Sequence, residues 1–137
     1  MTEEPCLKTH SRRQFVLKER RSEVRFENPE RHKIDQFQVD GCLMKEGLKC
    51  DHLINVGALE ATFFVELKGK DVHHAMKQLQ TSHERLKERH LSRVHWVVAT
   101  TRCPLSTSDI QERQIQVRRR HRARLTVGNS PLTIPLK

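Results

Sequence analysis

The sequence predicts an α/β fold, a mixed central β-sheet flanked by helices, in a single domain spanning residues 1–137. Three observations predict it. From Ile34 onward the apolar segments fall in the order strand, strand, strand, helix, strand. Thr62 to Leu67 is rich in β-branched and aromatic residues and is apolar on both faces at its start, as a central strand should be. An amphipathic helix then separates it from Val94 to Thr100, so that this last strand can return beside an earlier one through a right-handed crossover.

Each element follows from its local pattern. Residues 1–23 are charged and weakly patterned, with Phe15, Val16 and Leu17 as anchors for a short helix. Val24-Arg25-Phe26 alternates as a short strand and stops at the Asn28-Pro29 turn signal. Ile34, Phe37 and Val39 lead into a tight turn at Asp40-Gly41. Cys50 to Val56 is the next strand, and Gly57 to Glu60 turns it back into Thr62–Leu67. Asp71 is a helix N-cap, followed by Val72, Ala75, Met76, Leu79 and Leu86 at helical spacing, ending near Arg89 or His90. Trp96 sits in the core of the strand that follows. Ser108-Asp109 is placed to cap a helix through Arg119, and the apolar residues after it are interrupted by Gly128, Pro131 and Pro135. The core therefore spans about residues 34–100, with a basic C-terminal extension over about 109–137.

Composition narrows the function classes. Apolar residues make up 35% of the 137, so a small core is expected. Lys and Arg number 26 against 17 Asp and Glu, a formal charge of +9 that attracts polyanions, nucleic acid above all. Met1 to His10 shows no apolar segment of the secretory kind, and nothing approaches the ~18 apolar residues of a membrane span. A cytoplasmic protein with no membrane partner is the expectation. Its four cysteines are then expected as reduced, largely buried thiols, with a Cys42–Cys50 disulfide open to it in an oxidising compartment. Cys42, Cys50 and His52 do not match the usual short zinc-ligand spacings.

The chemistry-bearing constellation is Asp51, Glu66 and Lys68. Glu66 and Lys68 are two apart on one strand and share a face, and a hairpin through residues 57–60 brings Asp51 towards Glu66. Clustered carboxylates beside apolar strands are costly unless a cation joins them, and Mg2+ accepts one or two carboxylates together with waters and a substrate phosphate. Glu-x-Lys alone is commonly a surface ion pair. Here it ends an apolar strand, where charges are out of pattern.

The run Lys49-Cys50-Asp51-His52-Leu53-Ile54, Phe64-Val65-Glu66-Leu67-Lys68-Gly69 and Ala75-Met76-Lys77-Gln78-Leu79 resembles the PD-(D/E)xK nuclease superfamily, which includes restriction endonucleases and Holliday-junction resolvases. The resemblance covers about residues 34–100. It implies a restriction-endonuclease-like core, Mg2+ or Mn2+ held by Asp51, Glu66 and the Leu67 carbonyl, and Lys68 serving the attacking water. Gln78 matches the Gln of a Gln-x-x-x-Tyr helix motif, with Ser82 at the Tyr position, and Cys50 stands where the family name has Pro. Members often carry a further acid on an N-terminal helix, for which Glu19 and Glu23 are the candidates. The implied activity is metal-dependent hydrolysis of phosphodiester bonds of nucleic acid, with DNA as the expected substrate and a homodimer or protein partner compatible with the small core. The other reading is a non-catalytic nucleic-acid-binding or protein-interaction module that retains the fold. Compact nucleases of this kind are common in genome defence and mobile elements. Lys70 and the cluster Arg118, Arg119, Arg120, Arg122 and Arg124 are the expected phosphate contacts.

Overall fold

The computed structural model describes residues 4–68, 71–102 and 105–137, without the side chains of Glu4 and Lys68. The strands are β1 (Leu7–His10), β2 (Gln14–Glu19), β3 (Ser22–Glu27), β4 (Ile34–Gln38), β5 (His52–Val56) and β6 (Ala61–Lys68), then β7 (Arg93–Thr100), β8 (Ala123–Asn129) and β9 (Leu132–Pro135). Helix α1 (Val72–Arg85) joins β6 to β7, and α2 (Thr107–His121) joins β7 to β8. Six strands form one sheet in the order β1-β4-β5-β6-β7-β8, antiparallel from β1 to β6 and parallel from β6 to β8. β2, β3 and β9 form a second sheet, in which β2–β3 is antiparallel and β3–β9 parallel. The mixed α/β class and the β6-α1-β7 crossover agree with the sequence reading. The second sheet is a feature that reading did not contain.

Burial of β6 explains the layering. Ala61 to Leu67 are all buried, so both faces of the strand need cover. On one face Phe63, Val65 and Leu67 cluster with Phe15, Leu17, Val24 and Phe26 of the small sheet. Phe26 stacks on Phe15 at 4.9 Å and meets Phe63 edge-on at 5.5 Å. On the other face Phe64, Trp96, Val98 and Leu125 cluster with Ala75 and Leu79 of α1 and Val117 of α2. Each large side chain taken fully out of water contributes roughly 1.5–3 kcal/mol. The three layers are therefore held by two independent apolar seams.

Four sequence expectations need correction. Phe15 to Leu17 form a strand, not a helix: Phe15 and Leu17 point inward and Val16 is exposed, a period of two. The segment after residue 122 is sheet, not an irregular extension. Gly128 does not break β8; a Cβ there would lie 2.8 Å from Leu132 Cδ1, so the glycine lets β9 pack close. The helix before it is capped by Ser106 rather than Ser108, in a capping box closed by Asp109. Finally, Cys6 and Cys42 are not the reduced thiols expected: they form a disulfide with each other, and Cys42 does not pair with Cys50. The β1–β4 edge pairing brings Cys6 beside the turn after β4, a proximity across 36 residues that spacing cannot reveal. Cys50 is free, fully buried, and its thiol is pushed up to about 12 by burial, which leaves it unreactive. Cys103 lies outside the described residues. No described helix is long and apolar enough to cross a membrane.

A histidine cluster closes the helical side. Trp96 Nε1 donates to His83 Nδ1 at 3.2 Å, and the His83 ring lies 4.5 Å from His90 and 5.2 Å from His121. Burial, then the neighbouring His90, His121 and Lys87 charges, lower the His83 pKa from 6.5 to about 4. A base whose pKa falls on folding contributes stability that is complete above pH 6.5 and is lost as pH drops towards about 4. Thermal melts followed by Trp96 fluorescence are expected to lose stability across that window. His83→Met should flatten the slope while costing about 1–3 kcal/mol at neutral pH, because Trp96 Nε1 loses its acceptor. An unchanged slope would assign the acid sensitivity to other groups.

Candidate active site

The β5–β6 ladder ends at the rung His52↔Val65. Just beyond it, the Asp51 amide donates to the Val65 carbonyl at 3.1 Å, and the Leu67 amide donates to Asp51 Oδ2 at 2.8 Å. The Asp51 side chain thus takes the place of the next ladder acceptor. Amide and carbonyl of one strand residue point to the same side, so the Leu67 carbonyl also faces Asp51. Glu66 lies beside the Asp51 carboxyl and is only 2% exposed. The sequence expectation that a hairpin would join these two carboxyls agrees with this geometry.

Helix α1 fixes the segment that carries Asp51. Asp71 caps the helix by accepting from the His74 amide at 2.9 Å, as its sequence position suggested. One turn further on, Gln78 Nε2 donates to the Lys49 carbonyl at 3.0 Å, and Ser82 Oγ accepts from the Cys50 amide at 2.8 Å. Ser82, at the Tyr position of the helix motif, therefore holds backbone. Gln78 Oε1 is buried and has no hydrogen-bond partner among the described residues.

These groups open onto a cavity of about 560 Å3 lined by Asp51, Glu66, Leu67 and Gln78 together with Glu19, Arg20, Arg21, Asp40 and Thr101. The Asp51 pKa is raised, first by burial and then by the Glu19 and Asp40 charges, against the opposing Leu67 amide and Glu66 hydrogen bonds. Of the two candidates for a further acid, Glu19 reaches this cavity, from a strand rather than the expected helix. Glu23 instead pairs with Arg25. The Lys68 backbone pairs with Thr100, and its side chain lies outside the described residues, as does Lys70. Sequence reading missed Asp40, Arg20 and Arg21 as lining groups; two alternating strands flanking Arg20-Arg21 were the available sign of a hairpin tip.

The arginine cluster lies elsewhere. Arg118, Arg119 and Arg120 occupy the last turn of α2, where positive charge complements the helix dipole, and Arg122 is its left-handed C-cap with φ 54°. Arg124 pairs with His95 near the start of β7, whereas Glu66 pairs with Val98 towards its end. None of the five lines the carboxylate cavity.

The oxygen set of Asp51, Glu66, the Leu67 carbonyl and Gln78 Oε1 suits Mg2+ or Mn2+, which take few protein carboxylates and fill the remaining positions with water and phosphate. Among the described residues no three His, Cys, Asp or Glu groups converge on one metal position, so a cation there would depend on carbonyl oxygen and water as well. Asp51→Asn keeps the acceptor for the Leu67 amide and removes a carboxyl that burial and two acids oppose. The variant is expected to match or exceed the parent by ~0.5–2 kcal/mol in chelator, and to lose the stabilisation that Mn2+ gives the parent. Melts with and without Mn2+ check both; a large loss in chelator would mean that the ionised pair supports the fold.

Comparison with protein-family models, with curated proteins and with solved structures finds no match, so the chemistry of this cavity is read from its own residues.

Proposed function

We propose that the chain is a metal-dependent nuclease of PD-(D/E)xK type, with a restriction-endonuclease-like core, that hydrolyses phosphodiester bonds of nucleic acid, DNA in the first instance. The observation that carries this reading is the pairing of half-buried Asp51 with buried Glu66, aligned by the Leu67 amide at the open end of the central strand. Asp51, Glu66 and the Leu67 carbonyl would hold Mg2+ or Mn2+, which polarises a phosphoryl oxygen and lowers the pKa of bound water.

The chain's own groups divide the remaining work. Asp51 is kept from rotating away by its bond to the Leu67 amide, and α1 keeps its backbone in place through Gln78 and Ser82. Glu66 cannot turn to solvent because it is enclosed. Gln78 presents an acceptor oxygen able to orient a water or accept from one. Lys68, directly after Leu67, is assigned the attacking water or the developing phosphoryl charge. The net charge of +9 supplies long-range attraction for the polyanion, and Arg118, Arg119, Arg120, Arg122 and Arg124 form a second basic surface for a longer strand.

Plasmid, linear and branched DNA and RNA, each with Mg2+, Mn2+ or chelator, test the reading. Cleavage is expected only with the cations, and to fall by about 10²–10³-fold or more in each of Asp51→Ala, Glu66→Ala and Lys68→Ala. Cleavage surviving all three would remove the site assignment. The limited number of converging acids favours one other reading, a non-catalytic nucleic-acid-binding module that retains the fold. Binding with no cleavage across all these substrates and metals would establish that instead.

A further inference from the structure

We propose that Arg20 and Arg21, the two-residue tip between β2 and β3, bind the backbone phosphate next to the one that is cleaved. The inference rests on the nuclease reading and names the part of the site that holds substrate.

Glu19 and Ser22 are the last paired residues of the hairpin, so Arg20 and Arg21 form its whole turn. Arg20 adopts the left-handed region with φ 51°, a conformation that costs a non-glycine residue roughly 1–2 kcal/mol. Gly or Asn is the ordinary choice there. Ser130, between β8 and β9, fixes this turn. Its hydroxyl oxygen accepts from the Glu23 amide at 2.8 Å and its O–H donates to the Arg21 carbonyl at 3.3 Å. The Ser130 amide in turn donates to the Thr100 carbonyl at the end of β7. The tip is thereby tied to the same end of the main sheet that carries Glu66.

Both arginines line the carboxylate cavity, yet neither is committed to its acids. The ion pairs among the described residues are Arg25–Glu23 and Lys49–Asp40, and neither tip arginine takes part in one. Four carboxylates alone would repel a phosphodiester, so the cavity needs cationic groups at its rim to admit one. Two guanidinium forks from a pinned turn offer paired donors matched to phosphate oxygens. Such a contact would position a strand without reading its sequence.

The test is fluorescence anisotropy of a labelled DNA duplex and its single strand over a salt series in chelator, beside cleavage kinetics in Mn2+. Arg20→Ala/Arg21→Ala is expected to weaken binding at least about tenfold near physiological salt. The slope of log K against log salt should shrink by about one, as for one lost phosphate contact at ~0.9. In cleavage, KM should rise far more than kcat falls. Arg20→Lys/Arg21→Lys should recover most of the slope but less of the affinity. Should the alanine pair fail to fold by its melting curve, Arg20→Gln/Arg21→Gln replaces it. Unchanged affinity and slope in a protein that still cuts DNA would overturn the phosphate assignment and leave the nuclease reading intact. Loss of binding in the variants of a parent that cuts nothing would keep the phosphate assignment and overturn the nuclease reading. A parent that binds neither DNA nor RNA would overturn both.

Discussion

The bond from the Leu67 amide to Asp51 Oδ2 is the constraint on which the site depends. It lies where the β5–β6 ladder runs out, and there a side chain supplies the acceptor that a backbone carbonyl supplied one rung earlier. Once that bond forms, Asp51 cannot leave the strand end and Glu66, one residue before Leu67, must face it. A charge-assisted bond to a backbone amide is worth roughly 1.5–3 kcal/mol, and leaving the buried amide unpaired costs a similar amount. The pair is therefore held in place against its own electrostatic preference. Helix α1 adds two further restraints on the same segment, through Gln78 to Lys49 and Ser82 to Cys50.

The rest of the architecture follows from enclosing that strand end. A strand buried on both faces needs two cover layers, and the chain draws them from distant parts of the sequence. The helical layer comes from the two crossovers. The small sheet comes from an N-terminal hairpin and the last strand, β9, joined in parallel along β3. Because β9 completes the sheet that carries Arg20 and Arg21, the C-terminal residues help shape the cavity although they do not line its acids. The arginines of α2 and β8 serve the opposite end of the main sheet, where they also complement the helix C-terminus.

This division explains what was legible in the sequence. β4, β5, β6, α1 and β7 were visible because local signals agree there: alternation or continuous apolar runs, a capping aspartate and a helical period. The approach of Asp51 to Glu66 was legible for the same reason, since a short hairpin fixes their relation, whereas Leu67 came only from the family resemblance. The elements that stayed hidden depend on distant partners. β2 reads as charged and irregular because its turn is Arg-Arg rather than Asn-Gly, and only its pairing with β3 and the stack of Phe15 on Phe26 make Phe15 and Leu17 inward positions. β8 contains a glycine that looks like a breaker until Leu132 is seen to need the space. The Cys6–Cys42 bond and the approach of Glu19 to Asp51 have no local signature at all.

The charge distribution leads one step further. The chain is basic overall, yet the cavity at Asp51 is ringed by Glu19, Asp40, Asp51 and Glu66. A polyanion attracted by the whole surface meets local repulsion at the point where chemistry would occur. A divalent cation among those oxygens, together with Arg20 and Arg21 at the rim, would offset that charge and so favour phosphate. A phosphate at the rim in turn favours the cation, by supplying the oxygens that the two converging carboxyls do not. Coupling between binding sites is reciprocal, so each ligand must tighten the other by the same factor. On the nuclease reading the sparse acidic set is then part of how the site works. It would bind the cation weakly by itself and firmly with substrate, so that the reactive arrangement would assemble only on nucleic acid.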